Sequence, residues 1–187
     1  MKKRAEELLK ESIGVKEEFL KHGPAKLADI TKVIAGSLKS GGKLILFGNG
    51  GSAADSQHIA AELVGRFKKD RPPISAIALS TNTSTITALG NDYGYETSFS
   101  RQLEALARKG DVAMGISTSG NSPNVIEAIK TAEKLGLKTI AMTGRDGGKL
   151  AGLADITLKV PSDNTPRIQE LHITAGHIIC ELIEGQI

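Results

Sequence analysis

Lys43-Leu44-Ile45-Leu46-Phe47 runs directly into Gly48-Asn49-Gly50-Gly51-Ser52-Ala53-Ala54-Asp55, and this junction decides the fold class. A short, continuous apolar run reads as a strand buried on both faces. The glycines break it, and helical spacing of apolar residues takes over across 52–67. The same order then recurs. Apolar runs at 74–79, 111–116, 138–142 and 155–160 alternate with helical patterns at 84–108, 122–135 and 164–184, and 147–152 adds one turn. Strands interleaved with helices predict a doubly wound α/β fold, with a mostly parallel five-stranded sheet flanked by helices in the flavodoxin or Rossmann manner. Two amphipathic helices precede it, at 2–21 and 25–38, separated by His22-Gly23-Pro24 and closed by Ser40-Gly41-Gly42. The chain therefore divides into an amino-terminal helical pair, 1–40, packing on the domain or at an oligomer interface, and one globular unit, 41–187.

Composition narrows the function. The 187 residues, 40% of them hydrophobic, suit one domain with a substantial core. Aromatics at 3% and the absence of Trp argue against stacking platforms for single-stranded nucleic acid. The 24 basic and 21 acidic residues leave a net charge of +3 with no long block of either sign, so neither nucleic acid nor a membrane surface is an expected partner. The single cysteine, Cys180, excludes an intrachain disulfide. Met1-Lys2-Lys3-Arg4-Ala5-Glu6-Glu7 lacks the apolar core of a secretory signal, and no apolar run approaches the roughly 20 residues of a membrane span. A soluble cytoplasmic protein is the expectation.

Ligands of such sheets bind beyond the carboxyl ends of the strands. There the first strand is followed by Gly48-Asn49-Gly50-Gly51-Ser52, and the third by Ser117-Thr118-Ser119-Gly120-Asn121-Ser122-Pro123-Asn124, each leading into a helix. Glycines admit a ligand close to the backbone, and N–H groups at a helix start favour an anion. Either loop alone reads equally well as a helix cap; two of them in one sheet point to a site. Neither contains Lys or Arg, which suits a sugar phosphate held by neutral donors better than a nucleoside triphosphate. A dinucleotide fingerprint would need an acid about 20 residues on, where Leu79-Ser80-Thr81 stands, and a P-loop would need Gly-Lys-Ser/Thr. No nucleotide cofactor is expected.

His58 and Glu62 lie four apart on the helix behind the first loop and share a face. They read as metal ligands, as an acid/base pair or as a surface ion pair. On the last helix, Gln169 and His177 are about 80° apart, and His172 and His177 about 140° apart, so the two histidines do not converge. Periodicity does not choose between them. Cys180 reads as core packing. Asp92, in Gly90-Asn91-Asp92, reads as a turn acid or as a sugar ligand.

Together, Gly48-Asn49-Gly50-Gly51-Ser52-Ala53-Ala54 and Ser117-Thr118-Ser119-Gly120-Asn121-Ser122 resemble the sugar-isomerase (SIS) superfamily. Over essentially its full length the chain resembles the phosphoheptose isomerase family, with further matches at Gly90-Asn91-Asp92, Asp146-Gly147-Gly148 and Arg167-Ile168-Gln169-Glu170. The resemblance implies an aldose–ketose isomerase that converts sedoheptulose 7-phosphate to D-glycero-D-manno-heptose 7-phosphate, for bacterial heptose in lipopolysaccharide or other surface glycans. It implies a homotetramer with sites between subunits and one zinc ion per subunit. It aligns His58, Glu62, Gln169 and His177 with metal positions and leaves His172 out. It aligns Asn49, Gly50, Gly51, Asn91, Asp92, Ser117, Thr118, Ser119 and Ser122 with substrate positions, to which Glu62 and Gln169 also belong, and Ser52 with a phosphate contact. Glu62 and His177 take the catalytic roles. Thr165-Pro166 stands where some relatives carry an acid. The alternative is a non-catalytic relative, such as a replication-initiator-associating protein, which is expected to lack Glu62, His177 or both.

Overall fold

A computed structural model describes residues 1–187. Strands β1 (Leu44–Gly48), β2 (Ala76–Ala78), β3 (Val112–Ser117), β4 (Lys138–Gly144) and β5 (Ile156–Val160) form one all-parallel sheet in the order β2-β1-β3-β4-β5. Successive side chains of a strand point to opposite faces, so each central strand feeds two cores. Leu44 and Leu46 of β1 join Met114 and Ile140 on one face, where helices α2 (Gly23–Lys39), α3 (Gly51–Val64) and α7 (Thr165–Glu184) contribute Ile30, Ile34, Ile59, Leu63, Leu171 and Ile179. Ile45 and Phe47 face the other way, against Phe99, Leu103 of α5 (Ser100–Leu106) and Val125 and Ile129 of α6 (Pro123–Lys134). The doubly wound expectation holds.

The single helix expected at 84–108 is broken. Helix α4 (Thr83–Tyr93) stops at Gly94, which takes φ 88° and ψ 148°, a conformation open to glycine and strained for any residue with a Cβ. One turn of 3₁₀ helix at Tyr95–Thr97 follows, and α5 begins at Ser100. The amino-terminal pair also parts company. Helix α2 buries Leu27, Ile30 and Ile34 in the sheet core, whereas α1 (Lys2–Phe19) buries no residue and leaves Leu9 and Ile13 exposed. Three polar contacts tie α1 to the start of α7: Ser12 Oγ donates to Glu170 Oε2 (2.6 Å), Arg167 Nη1 to the Leu8 carbonyl (3.2 Å) and Asn164 Nδ2 to Glu11 Oε1 (2.7 Å).

Helix α3 ends at Val64, three residues short of the expected 67, because the chain beyond it is taken over by a buried carboxylate. Glu184, at the end of α7, accepts the backbone N–H groups of Phe67 (2.9 Å), Lys68 (2.9 Å) and Lys69 (3.2 Å) and the Nε–H of Arg71 (2.8 Å). Arg71 in turn donates to the carbonyls of Leu63 (2.8 Å) and Glu62 (2.9 Å) at the end of the helix, and the Leu63 carbonyl also accepts the Ile74 N–H (3.1 Å). Burial alone would raise the Glu184 carboxyl, but the three N–H donors and Arg71 outweigh it and hold the group down at about 2. A folded value below the ordinary 4.5 means that the stabilisation is complete above that pH and lost as pH falls through about 2. Glu184→Gln is expected to cost about 3 kcal/mol at pH 7, the scale for stripping one partner from a buried ion pair. Urea unfolding checks this, and the gap to the wild type should narrow as pH drops from about 4.5 towards 2.

Candidate active site

The sheet changes direction of winding between β1 and β3, and the loops that follow these two strands open on that crevice. In the first loop Gly50 takes φ 54° and ψ −121° to start α3. The N–H groups of Ser52, Ala53 and Ala54 turn back to the carbonyls of Asn49 and Gly50, while those of Asn49, Gly50 and Gly51 have no partner within the chain. In the second loop the Gly120 N–H closes on the Ser117 carbonyl, and the N–H groups of Thr118 and Ser119 are likewise free. Consecutive unpaired amides at a helix start form a nest for an anion without any cationic side chain. Ser117 and Ser122 share a hydrogen bond (Oγ···Oγ 2.9 Å), and Ser52 and Ser117 are buried beneath the nest.

Two carboxamides lock the loops together. Asn49 Nδ2 donates to Asn124 Oδ1 and Asn124 Nδ2 donates to Asn49 Oδ1, both at 2.9 Å. Tyr95 Oη donates to the same Asn49 oxygen at 3.0 Å. The Asn49 side chain is therefore largely committed to holding the loop, which leaves its backbone N–H for a ligand. Asn91 and Asp92 lie exposed on the last turn of α4, hydrogen-bonded to each other (2.7 Å), and Tyr95 connects their segment to the first loop.

Helices α3 and α7 lie side by side and parallel. Gly176 gives α7 its close approach, since a Cβ there would sit 2.6 Å from Ile59 Cδ1. Beside that contact, His177 Nε2 meets His58 Nε2 at 2.9 Å, and His58 Nε2 lies 3.2 Å from Glu62 Oε1. One ligand atom from each of the three residues falls within 4.8 Å of the others. Ligands of one tetrahedral zinc are about 3.3 Å apart, and two imidazoles with a carboxylate are a common zinc donor set. Asp55, one turn before His58, strengthens the fit: its Oδ2 is buried without a hydrogen-bond partner. Burial raises the Asp55 carboxyl above the ordinary carboxylate range, against the pull of His58 and His177. A cation held by the imidazole pair would favour the ionised form of this neighbouring carboxyl.

The expected fourth ligand, Gln169, is not part of this group in the chain. It precedes His177 by eight residues, about 12 Å of helix rise, and its carboxamide lies against Gly51 in the first loop, where a Cβ would meet Nε2 at 2.5 Å. Within the chain the Gln169 carboxamide thus lies at the first loop. His172 is buried, with Nε2 3.2 Å from the Thr143 carbonyl oxygen, and burial lowers its pKa to about 4, a neutral structural imidazole. Cys180 is buried too, and its thiol is pushed up to about 12, chiefly by that burial.

Sequence reasoning missed Asp55, Asn124 and Arg145. Asp55 shares the His58 face one turn away, a signal that was available; Asn124 was concealed by its resemblance to an ordinary helix-start residue. Arg145 follows β4, and the parallel pairing of β4 with β3 brings it to the rim of the second loop, where with Ser119, Asn121, Asp146, Gly148 and Asp163 it lines a cleft of about 510 Å³. Its guanidinium pairs with Asp163 at 2.7 Å.

The SIS domain family matches residues 8–144 of the chain. The phosphoheptose isomerase of Aquifex aeolicus is 58% identical over all of this chain and 98% of its own length. Two solved structures superimpose closely. A phosphoheptose isomerase from Neisseria gonorrhoeae has a TM-score of 0.94 at 45% identity, with 98% of each chain covered. One from Francisella tularensis has a TM-score of 0.95 at 38% identity, covering 98% of this chain and 97% of that one.

Removing the cross-loop pair tests the nest. Asn124→Ala is expected to weaken binding of inorganic phosphate about tenfold by isothermal titration, the equivalent of one or two lost hydrogen bonds. His172→Gln should leave that affinity unchanged.

Proposed function

The chain belongs to the phosphoheptose isomerase family of SIS-domain proteins and is an aldose–ketose isomerase, and we propose that it interconverts sedoheptulose 7-phosphate and D-glycero-D-manno-heptose 7-phosphate at the start of bacterial heptose synthesis. The observation that carries the mechanism is the meeting of His58, Glu62 and His177 two helical turns from a nest of free amides.

The spacing suits the substrate. An extended seven-carbon chain with its phosphate spans eight bonds at about 1.2 Å each, roughly 10 Å. Two turns of α3, from Gly51 to His58, rise by about the same length. In this reading the amides of Asn49, Gly50, Gly51, Thr118 and Ser119, with the hydroxyls of the second loop, bind the phosphate end, and Ser52 supports them from beneath. Gln169, Asn91 and Asp92 take sugar hydroxyls. The carbonyl end then reaches Glu62 and His177.

Isomerisation moves a proton between C1 and C2 through an enediolate. Glu62 is the base for the carbon-bound proton: its Oε1 faces the imidazole pair, and Oε2, free of ion pairs, is left for the transfer. His177 carries the proton between the two oxygens and steadies the developing oxyanion. His58, Glu62 and His177 would hold a zinc ion, which when bound supplies Lewis-acid polarisation of the substrate carbonyl. The presence of both Glu62 and His177, and full-length similarity to isomerases, speak against a non-catalytic scaffold.

We also propose a homotetramer. The exposed apolar residues Leu9, Ile13 and Leu20 at the amino terminus, with Ile178 and Leu182 of α7, supply a face for contact between subunits. No helix is long and apolar enough to cross a membrane.

The decisive experiment incubates the protein with sedoheptulose 7-phosphate in deuterated water. Exchange at C1 is expected; its absence, with and without added zinc, would leave only a binding role. Glu62→Gln should lower turnover at least about a hundredfold while phosphate still binds, the usual scale for losing a positioned base. Elemental analysis should find zinc in the purified protein and none in His58→Ala.

A further inference from the structure

We propose that Phe67 is a positioning residue for His177, seated by the Glu184–Arg71 clamp. The Phe67 ring stacks on the His177 imidazole, with centroids 5.6 Å apart and planes 29° from parallel. On its other contact the same imidazole meets His58 through Nε2. The orientation of His177 is thus fixed by a polar partner at one ring atom and an aromatic partner over one ring face.

Phe67 lies beyond the end of α3, in a segment with no secondary structure to hold it. What holds it is Glu184, which accepts the N–H groups of Phe67 and of the two residues after it. Arg71 completes the turn by joining that carboxylate to the Glu62 carbonyl, so the clamp reaches the backbone of the proposed base as well. Glu184 and His177 sit two turns apart on α7, and Phe67 spans the interval between them. An imidazole on a surface helix ordinarily samples several rotamers. Stacking removes that freedom on one side and excludes water from the ring face, as preorganisation of a proton-transfer group requires. A purely structural reading, in which Phe67 only extends the core, accounts for its packing but not for the near-parallel placement over a site imidazole.

The inference rests on the reading of His177 as a working residue, and the experiment separates the two. In the full-length protein labelled with ¹³C-histidine, the His177 ring protons, assigned through His177→Gln, should show an upfield ring-current shift. Phe67→Leu should abolish that shift and lower kcat about tenfold with KM within twofold, and Phe67→Tyr should restore both. Wild-type kcat in Phe67→Leu beside a crippled His177→Gln would overturn the positioning role alone. Wild-type kcat in both variants would sink the site reading beneath it. If Phe67→Leu fails to fold, a His177 ring-proton shift at the unperturbed value in the wild type would by itself refute the stacking.

Discussion

Parallel packing of α3 against α7, in constant register, is the constraint on which the site depends. Both helices rise by the same amount per residue, so one close contact, Gly176 on Ile59, sets the neighbours along their whole shared length. At the loop end this register puts Gln169 on Gly51 and further along it puts His177 on His58; past the end of α3, Glu184 is left beside the backbone of Phe67. The two pairs that lie on both helices, Gly51 with Gln169 and His58 with His177, are 118 and 119 residues apart, so the register drifts by one residue over some two turns. A larger side chain at position 176 would wedge the helices apart and disturb all three places at once.

The sheet supplies the other half. Parallel strands bring every loop that follows a strand to one edge, and the winding reversal between β1 and β3 opens the crevice there. What the chain adds is a way to hold an anion without local cations. Unpaired amides in two loops face the crevice, and the Asn49–Asn124 carboxamide pair stops the loops from separating. The guanidinium of Arg145, at the rim of the second loop, is engaged by Asp163.

The fold was legible because each central strand is a short apolar run ended by glycine or serine, a pattern that burial on both faces imposes. The two loops were legible for the same reason. Helix length was less so: the break at Gly94 looks like an ordinary glycine within a helical pattern, and only its backbone angles show that the chain must turn. His58 and Glu62 could be paired from their spacing because both lie on one helix. Their third partner is 119 residues further on, and periodicity within α7 could not choose between His172 and His177; the resemblance to the isomerase family did so. The separation of Gln169 from that group, and the Glu184 clamp, depend on how two helices align, which no local pattern records.

Cys180 has a practical consequence of its own. As the single thiol, enclosed in the core and with a pKa pushed up to about 12, it is nearly inert towards maleimides and mild oxidants at neutral pH. The natural chain is therefore a ready blank for site-specific spectroscopy. One cysteine engineered onto an exposed helix face would be the sole reactive handle for a fluorophore or spin label, with no background mutation needed.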